Sequence, residues 1–417
     1  MPFLRPFFVL SVAACAGCGG GNAPSSTTTV PPVDVAHVDP FDVNIGGVTS
    51  PYYDAFNDGD IAFDTPLRDG DGLGPLYTRA SCDSCHTDGV RGPGLVQKMS
   101  VVEADGITPS LDQSELPYGH TEHPLTAGGG KTPVLPPDDP NIKVTIRVGP
   151  PVLGRGYMDA VLDSEIERVA AAQATRTDAI HGKINHVVYA SETVGDPAFN
   201  TATTGETLIG RFGLKARIAT IDEFVADAFQ GDMGITSPLR PLEIPNPDGL
   251  TDDDKPGIDV ELDSVTDRAM YVRLLAIPAR HDDTDARGTA LFSSTVCAVC
   301  HVPTLKTRSD YAVAELAGID APVYTDFLLH DMGDDLADGL PASPAVDGEA
   351  DSFEWRTAPL IGLRFDKTFL HDGRAKTIED AIEMHRGTNS EANASIDAFD
   401  ALSSDDRQSL INYVTAL

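Results

Sequence analysis

Cysteine, positive charge and tryptophan are all scarce: 417 residues contain 6 Cys, 30 Lys and Arg, and 1 Trp. So few cysteines exclude a disulfide-built scaffold, where cysteine makes up more than about 8% of a short chain. The shortage of bases against 64 Asp and Glu gives a formal charge of −34. That balance argues against nucleic acid or anionic lipid as partners and suits a basic partner or a cation. What is present, 41% apolar residues with moderate charge, describes a globular protein long enough for two domains.

The N-terminal stretch MPFLRPFFVLSVAA places Arg5 before an apolar run too short to cross a bilayer, the pattern of a secretion signal. It runs into Val12-Ala13-Ala14-Cys15, which resembles the lipobox of bacterial lipoproteins. We therefore expect a lipoprotein signal peptide over 1–15 and lipid on Cys15, with Cys18 as the alternative. A flexible Gly/Ser/Thr/Pro tether should follow over 16–45. This predicts the periplasmic or cell-surface side of a bacterial membrane, touched only through the anchor.

The other four cysteines fall in two identical frames, Cys82-Asp83-Ser84-Cys85-His86 and Cys297-Ala298-Val299-Cys300-His301. Random placement would produce one such pentad on the order of 10⁻³ times per chain, so chance does not explain two. Structural disulfides are permitted outside the cytoplasm but give no reason for histidine to follow each pair. A Cys₄ zinc site would need the pairs to converge and would leave the histidines idle. A thioredoxin-like redox pair lacks its βαβ surroundings. Covalent haem attachment uses every residue. Two thiols bond the two vinyl groups of one haem, and the adjacent histidine is held beneath its iron. Two c-type haems are expected, with Cys82, Cys85, Cys297 and Cys300 as attachment points and His86 and His301 as metal ligands.

The frames Leu76-Tyr77 before Cys82 and Leu291-Phe292 before Cys297 suggest two repeated units. Gly288 and Phe292 lie on a predicted helix starting near Thr284. The last segment, SSDDRQSLINYVTAL, opens with the cap Ser403-x-x-Asp406 and has apolar residues at helical spacing. Further helices are predicted at Asp159–Ala174 and Val260–Leu275, with loops around 104–140 and 241–258. The expected fold is mainly α, with two cytochrome c-like haem domains, 46–280 and 281–417, and long irregular insertions in the first. A Thr377-x-x-Asp380 cap starts a helix whose Ile378, Ala381, Ile382 and His385 share one face, so His385 points into packing.

The stretches GLGPLYTRASCDSCH, RVGPPVLGRGYMDAV, GRFGLKA, DMGITSP, LLHDMGDDLADG, EWRTAPL and FLHDGRAKTIEDAIEMH resemble the bacterial di-haem oxidoreductase and peroxidase family, also called thiol oxidoreductase-like. The resemblance extends over roughly 45–417 and, more distantly, to the di-haem cytochrome c peroxidases. It implies that His385 stands where those peroxidases carry a distal Met or Tyr, making the second haem a bis-His electron relay of lower potential. Rival ligands there are Met384, His330 and Met332. It also implies that Phe224 and Asp232 stand near the peroxidases' distal glutamine and glutamate. That leaves Asp232 as the candidate catalytic acid, against the simpler role of a turn residue before Gly234, and Met233 as a further ligand candidate. His120 and His123 are weaker candidates. Arg374 is read as a haem propionate partner, with a surface ion pair as the alternative. Trp355, the only tryptophan, is expected to pack on the second haem, with an electron-relay role as the secondary alternative. The acidic stretches at 69–72 and 251–263 invite a calcium reading, an ion common in the related peroxidases, although neither has the EF-hand pattern. The function implied is reduction of peroxide at a more open His86 haem, with electrons arriving from a cytochrome or small electron carrier. The alternatives are a pure electron-transfer cytochrome, or an oxidase or oxygenase acting on an organic or thiol substrate.

Overall fold

The computed structural model describes residues 43–191, 193–280, 286–343 and 347–417. The predicted signal, Cys15, Cys18 and most of the tether lie outside them. Ten helices are present among the described residues: α1 (Tyr52–Asp64), α2 (Arg155–Ala160), α3 (Asp163–Ala174), α4 (Ile221–Met233), α5 (Leu262–Leu274), α6 (Ala286–Ser294), α7 (Cys297–Cys300), α8 (Ile378–Glu383), α9 (Asn393–Asp400) and α10 (Ser404–Thr415). Five two-stranded antiparallel ribbons and long irregular segments join them. The longest ribbon pairs 95–101 with 142–148 and lies between α1 and α2 along the chain.

Local signals set several boundaries. Thr220 caps α4 by accepting from Glu223 N, and left-handed Gly234 (φ 70°) ends it. The Thr377/Asp380 capping box starts α8, yet that helix spans only six residues, so His385 lies just beyond its end rather than on it. The predicted helix 159–174 is broken at Val161 and Leu162. Leu162 N donates to Lys306 O and Val161 bridges Thr307, so tertiary pairing overrides helix propensity there.

Two helix crossings organise the packing, and both depend on a glycine. On α6, a Cβ at Gly288 would lie 2.5 Å from Tyr413 Cβ and 2.8 Å from Ser409 O, so only glycine lets α10 approach this closely. Phe292, one turn on, meets Tyr413 with ring centroids 5.4 Å apart. On α1, a Cβ at Gly59 would lie 2.3 Å from Asp267 O and 2.8 Å from Tyr271 Cβ of α5. Phe63, again four residues later, meets Tyr271 at 4.8 Å. The repeated unit is therefore Gly-x-x-x-Phe against Tyr. The sequence frame Leu76-Tyr77 is not the counterpart of Leu291-Phe292, because 76–77 form a strand and 291–292 lie on α6.

One core cluster lies wholly within 291–417, around Leu291, Phe292, Phe399, Leu410 and Tyr413. Another draws on both sides of residue 280, uniting Phe56, Phe63 and Tyr271 with Val313, Leu316 and Phe327. Between α4 and α5, the fully buried Arg273 and Asp222 form an ion pair of 2.5 Å. Removing either partner would strand a buried charge, so the pair fixes α4 in register against α5.

Gly288→Ala sets helix propensity against overpacking. The propensity gain is about 1 kcal/mol, whereas the Cβ meets a backbone oxygen and the base of a side chain that cannot rotate away, at about 1–3 kcal/mol. The expected result is net destabilisation, seen as a lower urea midpoint with an unchanged slope.

Candidate functional site

Both pentads close the same helical turn: His86 N donates to Cys82 O and His301 N to Cys297 O, each at 3.0 Å. None of the four cysteines is in a disulfide. Burial pushes the Cys82 thiol up to about 11 and the Cys85 thiol up to about 12, and it raises Cys297 and Cys300 as well. Those thiols are neutral at physiological pH, unlike thioredoxin-type redox pairs, whose pKa is depressed. The two pairs also line different cavities, which removes the Cys₄ zinc alternative.

The larger cavity, about 260 Å³, is lined by Cys297, Cys300, His301 and His385. The His301 and His385 rings lie 6.5 Å apart between centroids. Two imidazoles on opposite sides of one iron, each nitrogen about 2 Å from the metal, set their centroids about 6 Å apart, so the pair fits a bis-His centre. His385 Nδ1 meets Ala381 O at 2.6 Å and His301 Nδ1 meets Tyr324 O at 3.3 Å. With Nδ1 donating, Nε2 keeps its lone pair for a metal. Burial drives His301 down to about 4 and lowers His385 too, so both are neutral, the ligating form.

His330, a rival ligand, also lines this cavity, but both its nitrogens are engaged, with Asp326 at 2.9 Å and Glu391 at 2.6 Å. Burial opposes its charge, yet Asp326 outweighs it and holds His330 well above the usual histidine range. A doubly hydrogen-bonded imidazolium has no lone pair to offer iron. Met332 lines the cavity and Met384 does not. Trp355 lines it as well, stacked on His371 with centroids 3.9 Å apart at 11°. On the other face, Lys215 Nζ stands 4.4 Å from the indole centroid, and Trp355 Nε1 donates to Leu336 O at 3.0 Å.

The smaller cavity, about 90 Å³, holds Cys82, Cys85 and His86. His86 Nδ1 meets Pro150 O at 2.7 Å, an approach that depends on Gly149, where a Cβ would come 3.1 Å from the His86 ring and 2.9 Å from Cys85 O. Burial drives His86 down to about 4. Phe224, Asp232 and Met233, all from α4, line the same cavity, and His86 is the only imidazole among its lining residues. The end of α4 is pinned by the strand leading to the first pentad: Thr78 N donates to Asp232 O at 2.7 Å and Gly74 N to Met233 O at 3.0 Å. Burial pushes the Asp232 carboxyl up to about 6. Met233 also packs in a cluster with Leu73, Phe229 and Val265. His120 and His123 bond to Met99 O and Gly231 O and line neither cavity.

Arg374 is held by Asp372 at 2.6 Å and by Asp335 O at 2.8 Å, on the surface and away from both cavities. Arg91 lines the larger cavity and Arg79 and Arg268 the smaller, while Arg155 and Arg356, together with Pro150 and Pro151, belong to both walls. Arg155 and Arg356 are each at most 7% exposed. Their hydrogen-bond partners are neutral: Met158 Sδ and Pro151 O for Arg155, Gly213 O and Thr357 O for Arg356. Burial and then Arg356 bring Arg155 down to about 9, and burial brings Arg356 down to about 10, so both stay protonated at neutral pH. Asp366 acts on Arg155 and Asp326 on Arg356 only from a distance, with no salt bridge among the described residues, so the pair calls for an anion from outside the chain, and haem propionates supply one. Arg91 and Asp366 complete this polar end of the larger cavity, Arg91 N donating to Asp366 Oδ1 at 3.2 Å. Donor set, apolar walls and unmatched cations all fit two haems.

Residues 132–417 match the family described as "Di-haem oxidoreductase, putative peroxidase". Among solved structures, the chain is similar to hydrazine synthase from Kuenenia stuttgartiensis, at 15% identity over 96% of this chain and 100% of that one, with a TM-score of 0.37. It is also similar to the diheme peroxidase BthA from Burkholderia thailandensis, at 14% identity over 87% of this chain and 86% of that one, with a TM-score of 0.38. No curated protein matches.

Removing a buried cation beside a haem favours its oxidised form. Arg155→Leu should lower at least one reduction potential by about 60 mV, a tenfold shift in a one-electron equilibrium, while Arg374→Leu should leave both unchanged. Spectroelectrochemical titration of the two variants measures this.

Proposed function

The chain belongs to the di-haem oxidoreductase family and is an oxidoreductase, and from that premise we propose an extracytoplasmic, lipid-anchored enzyme with two covalently attached haems. Electrons from a cytochrome or small carrier enter at the His301/His385 centre and reach the His86 centre, where peroxide is reduced. The observation that carries this reading is the asymmetry of the two cavities. One has imidazoles facing each other at 6.5 Å, whereas the other sets a single imidazole against Phe224, Asp232 and Met233. A centre closed on both sides suits relay, and a centre with one protein ligand suits substrate.

Reduction of hydrogen peroxide to two waters needs two electrons and two protons. The bound haem iron supplies electrons and an open coordination position. Asp232 handles the proton: raised to about 6 by burial, it is populated in both forms near neutral pH. As the carboxylate it takes a proton from one peroxide oxygen and returns it to the other. Phe224 and Phe212, stacked at 6.3 Å, supply apolar surface beside that carboxylate. Arg155 and Arg356 balance propionates in the shared wall. The electron-transfer reading keeps one supporting observation, the presence of Met233 in the smaller cavity, and a high-spin signal in the resting or half-reduced protein decides against it.

Two measurements test the division of labour. His385→Ala should convert one low-spin haem to high spin while the first haem keeps its spectrum; unchanged spectra and potentials would remove His385 as a ligand. Since Asp232 is neutral below about pH 6 and cannot then accept a proton, peroxide turnover should rise as pH climbs through that value. Asp232→Asn should flatten this limb and cut turnover by about a hundredfold.

A further inference from the structure

The longest ribbon carries a base that the chemistry above does not use. Lys98 lies on its central strand, paired with Thr145 on one side and bridged to Thr121 on the other. Residues directly opposite in antiparallel strands share a face, and so do residues two apart in one extended segment. Lys98, Thr121 and His123 therefore face the same way. Lys98 Nζ donates to Thr121 Oγ1 at 2.6 Å, and His123 Nε2 donates to Gly231 O at 2.8 Å. That face is thus laid against the last turn of α4, one residue from Asp232, whose carbonyl is held by both the amide and the hydroxyl of Thr78.

The cations around Asp232 differ in what already neutralises them. Arg217 Nη1 donates to Asp227 Oδ1 at 3.1 Å, so the two act on Asp232 in opposite directions and largely cancel. Arg147, beside Lys98, is bonded to Asp338 and Asp347 at 2.7 Å each. Lys98 has a neutral hydroxyl as its hydrogen-bond partner and no salt bridge among the described residues. After burial, which raises Asp232, Lys98 is the strongest influence on that carboxyl and acts downward, ahead of Asp227 and Arg217. Burial, Arg147 and Arg217 bring Lys98 itself down to about 8, against Asp232 and Asp347, so it is charged at neutral pH. His120 and His123 are lowered by burial and neutral there. Arg79, Arg155, Arg268 and Arg356, on the walls of the smaller cavity, keep their charge across this range.

We propose that Lys98 is a positioning residue for the smaller cavity: its ammonium holds Asp232 as the carboxylate, the form that accepts the first proton from peroxide. Burial alone would favour the acid, which cannot accept. One unmatched cation behind the helix end offsets that cost without entering the cavity or giving up a proton of its own. This inference rests on the reading of Asp232 as the proton acceptor.

The test uses the full haem-loaded chain and reads Asp232 in two ways. Infrared titration follows the protonated-carboxyl band that Asp232→Asn removes, and steady-state kinetics follow peroxide turnover against pH. In the wild type both should turn at about pH 6. Lys98→Met removes a cation and so favours the neutral acid, moving both midpoints up by about one pH unit. Turnover at pH 6 should then fall about fivefold, as the carboxylate fraction drops from about a half to about a tenth, and the difference should fade above about pH 8. Lys98→Arg, which keeps the charge, should restore both midpoints, a rescue that lost packing alone does not give. Lys306→Met, at an exposed lysine lining neither cavity, should move neither. If Lys98→Met fails to fold, Lys98→Gln decides. A shifted infrared midpoint without a turnover limb upholds Lys98 and removes the peroxide reading. An Asp232 band that keeps its midpoint in Lys98→Met, or that never titrates, overturns the proposal whatever the turnover.

Discussion

An imidazole has two nitrogens, and in this fold the three histidines that line the two cavities as candidate iron ligands each have Nδ1 tied to a main-chain oxygen. Pro150, Tyr324 and Ala381 each hold an Nδ1, and each bond leaves an Nε2 facing a cavity. Much of the surrounding structure serves those three carbonyls. Tyr324 is placed by its contact with Phe292 and by a 3.0 Å bond from its hydroxyl to that of Tyr413, so the α6–α10 crossing sets the geometry at His301. Pro150 follows the long 95–101/142–148 ribbon and the close approach at Gly149. Ala381 is on α8, whose capping box fixes where that helix begins. His330 shows the converse, since occupying both nitrogens turns an imidazole into a structural cation.

The legible part of the site was the part written locally. Each pentad is a single helical turn and can be recognised without knowing what surrounds it. His385 was legible through the Thr377 cap and its spacing, although the helix ends before reaching it. The arginines were not legible as a pair. Arg155 and Arg356 stand 201 positions apart in sequence, and what marks them is burial without a salt bridge to a described carboxylate, a property of tertiary packing. Both lie within the stretches RVGPPVLGRGYMDAV and EWRTAPL, so a signal was present but did not distinguish them from Arg374. An arginine next to Asp372 in sequence had its partner at hand, which is why it faces solvent.

The fold divides in the same way. Helices with caps or a strong apolar period, such as α5 and α10, were found close to their ends. The first glycine crossing is not marked by its distance from the cysteines: the frame nearest the pentad is Leu76-Tyr77, while the true counterpart lies at Gly59 and Phe63. In the second unit the crossing helix runs into the pentad, whereas in the first a strand and a turn intervene, so equal spacing from the cysteines was the wrong ruler. The break at Val161 was invisible because its cause, pairing with 306–307, is about 145 residues away by chain position.

Trp355 touches the cavity of the bis-His pair, and its surroundings determine what it can do there. An indole that gives up an electron becomes a cation, and this one already has Lys215 Nζ at 4.4 Å and the Arg147 guanidinium at 5.6 Å from its ring. Both cations are paired with Asp338, and Arg147 with Asp347 too, so the ring lies against a charge network that is closed on itself. Losing the indole proton as well would relieve the ring's charge, but the Nε1–H faces the carbonyl of Leu336, which is too weak a base to take it. The ring is therefore fixed in place: stacked on His371 and tied to Leu336, it is a flat, immobile partition between the cavity and the buried ion pairs behind it.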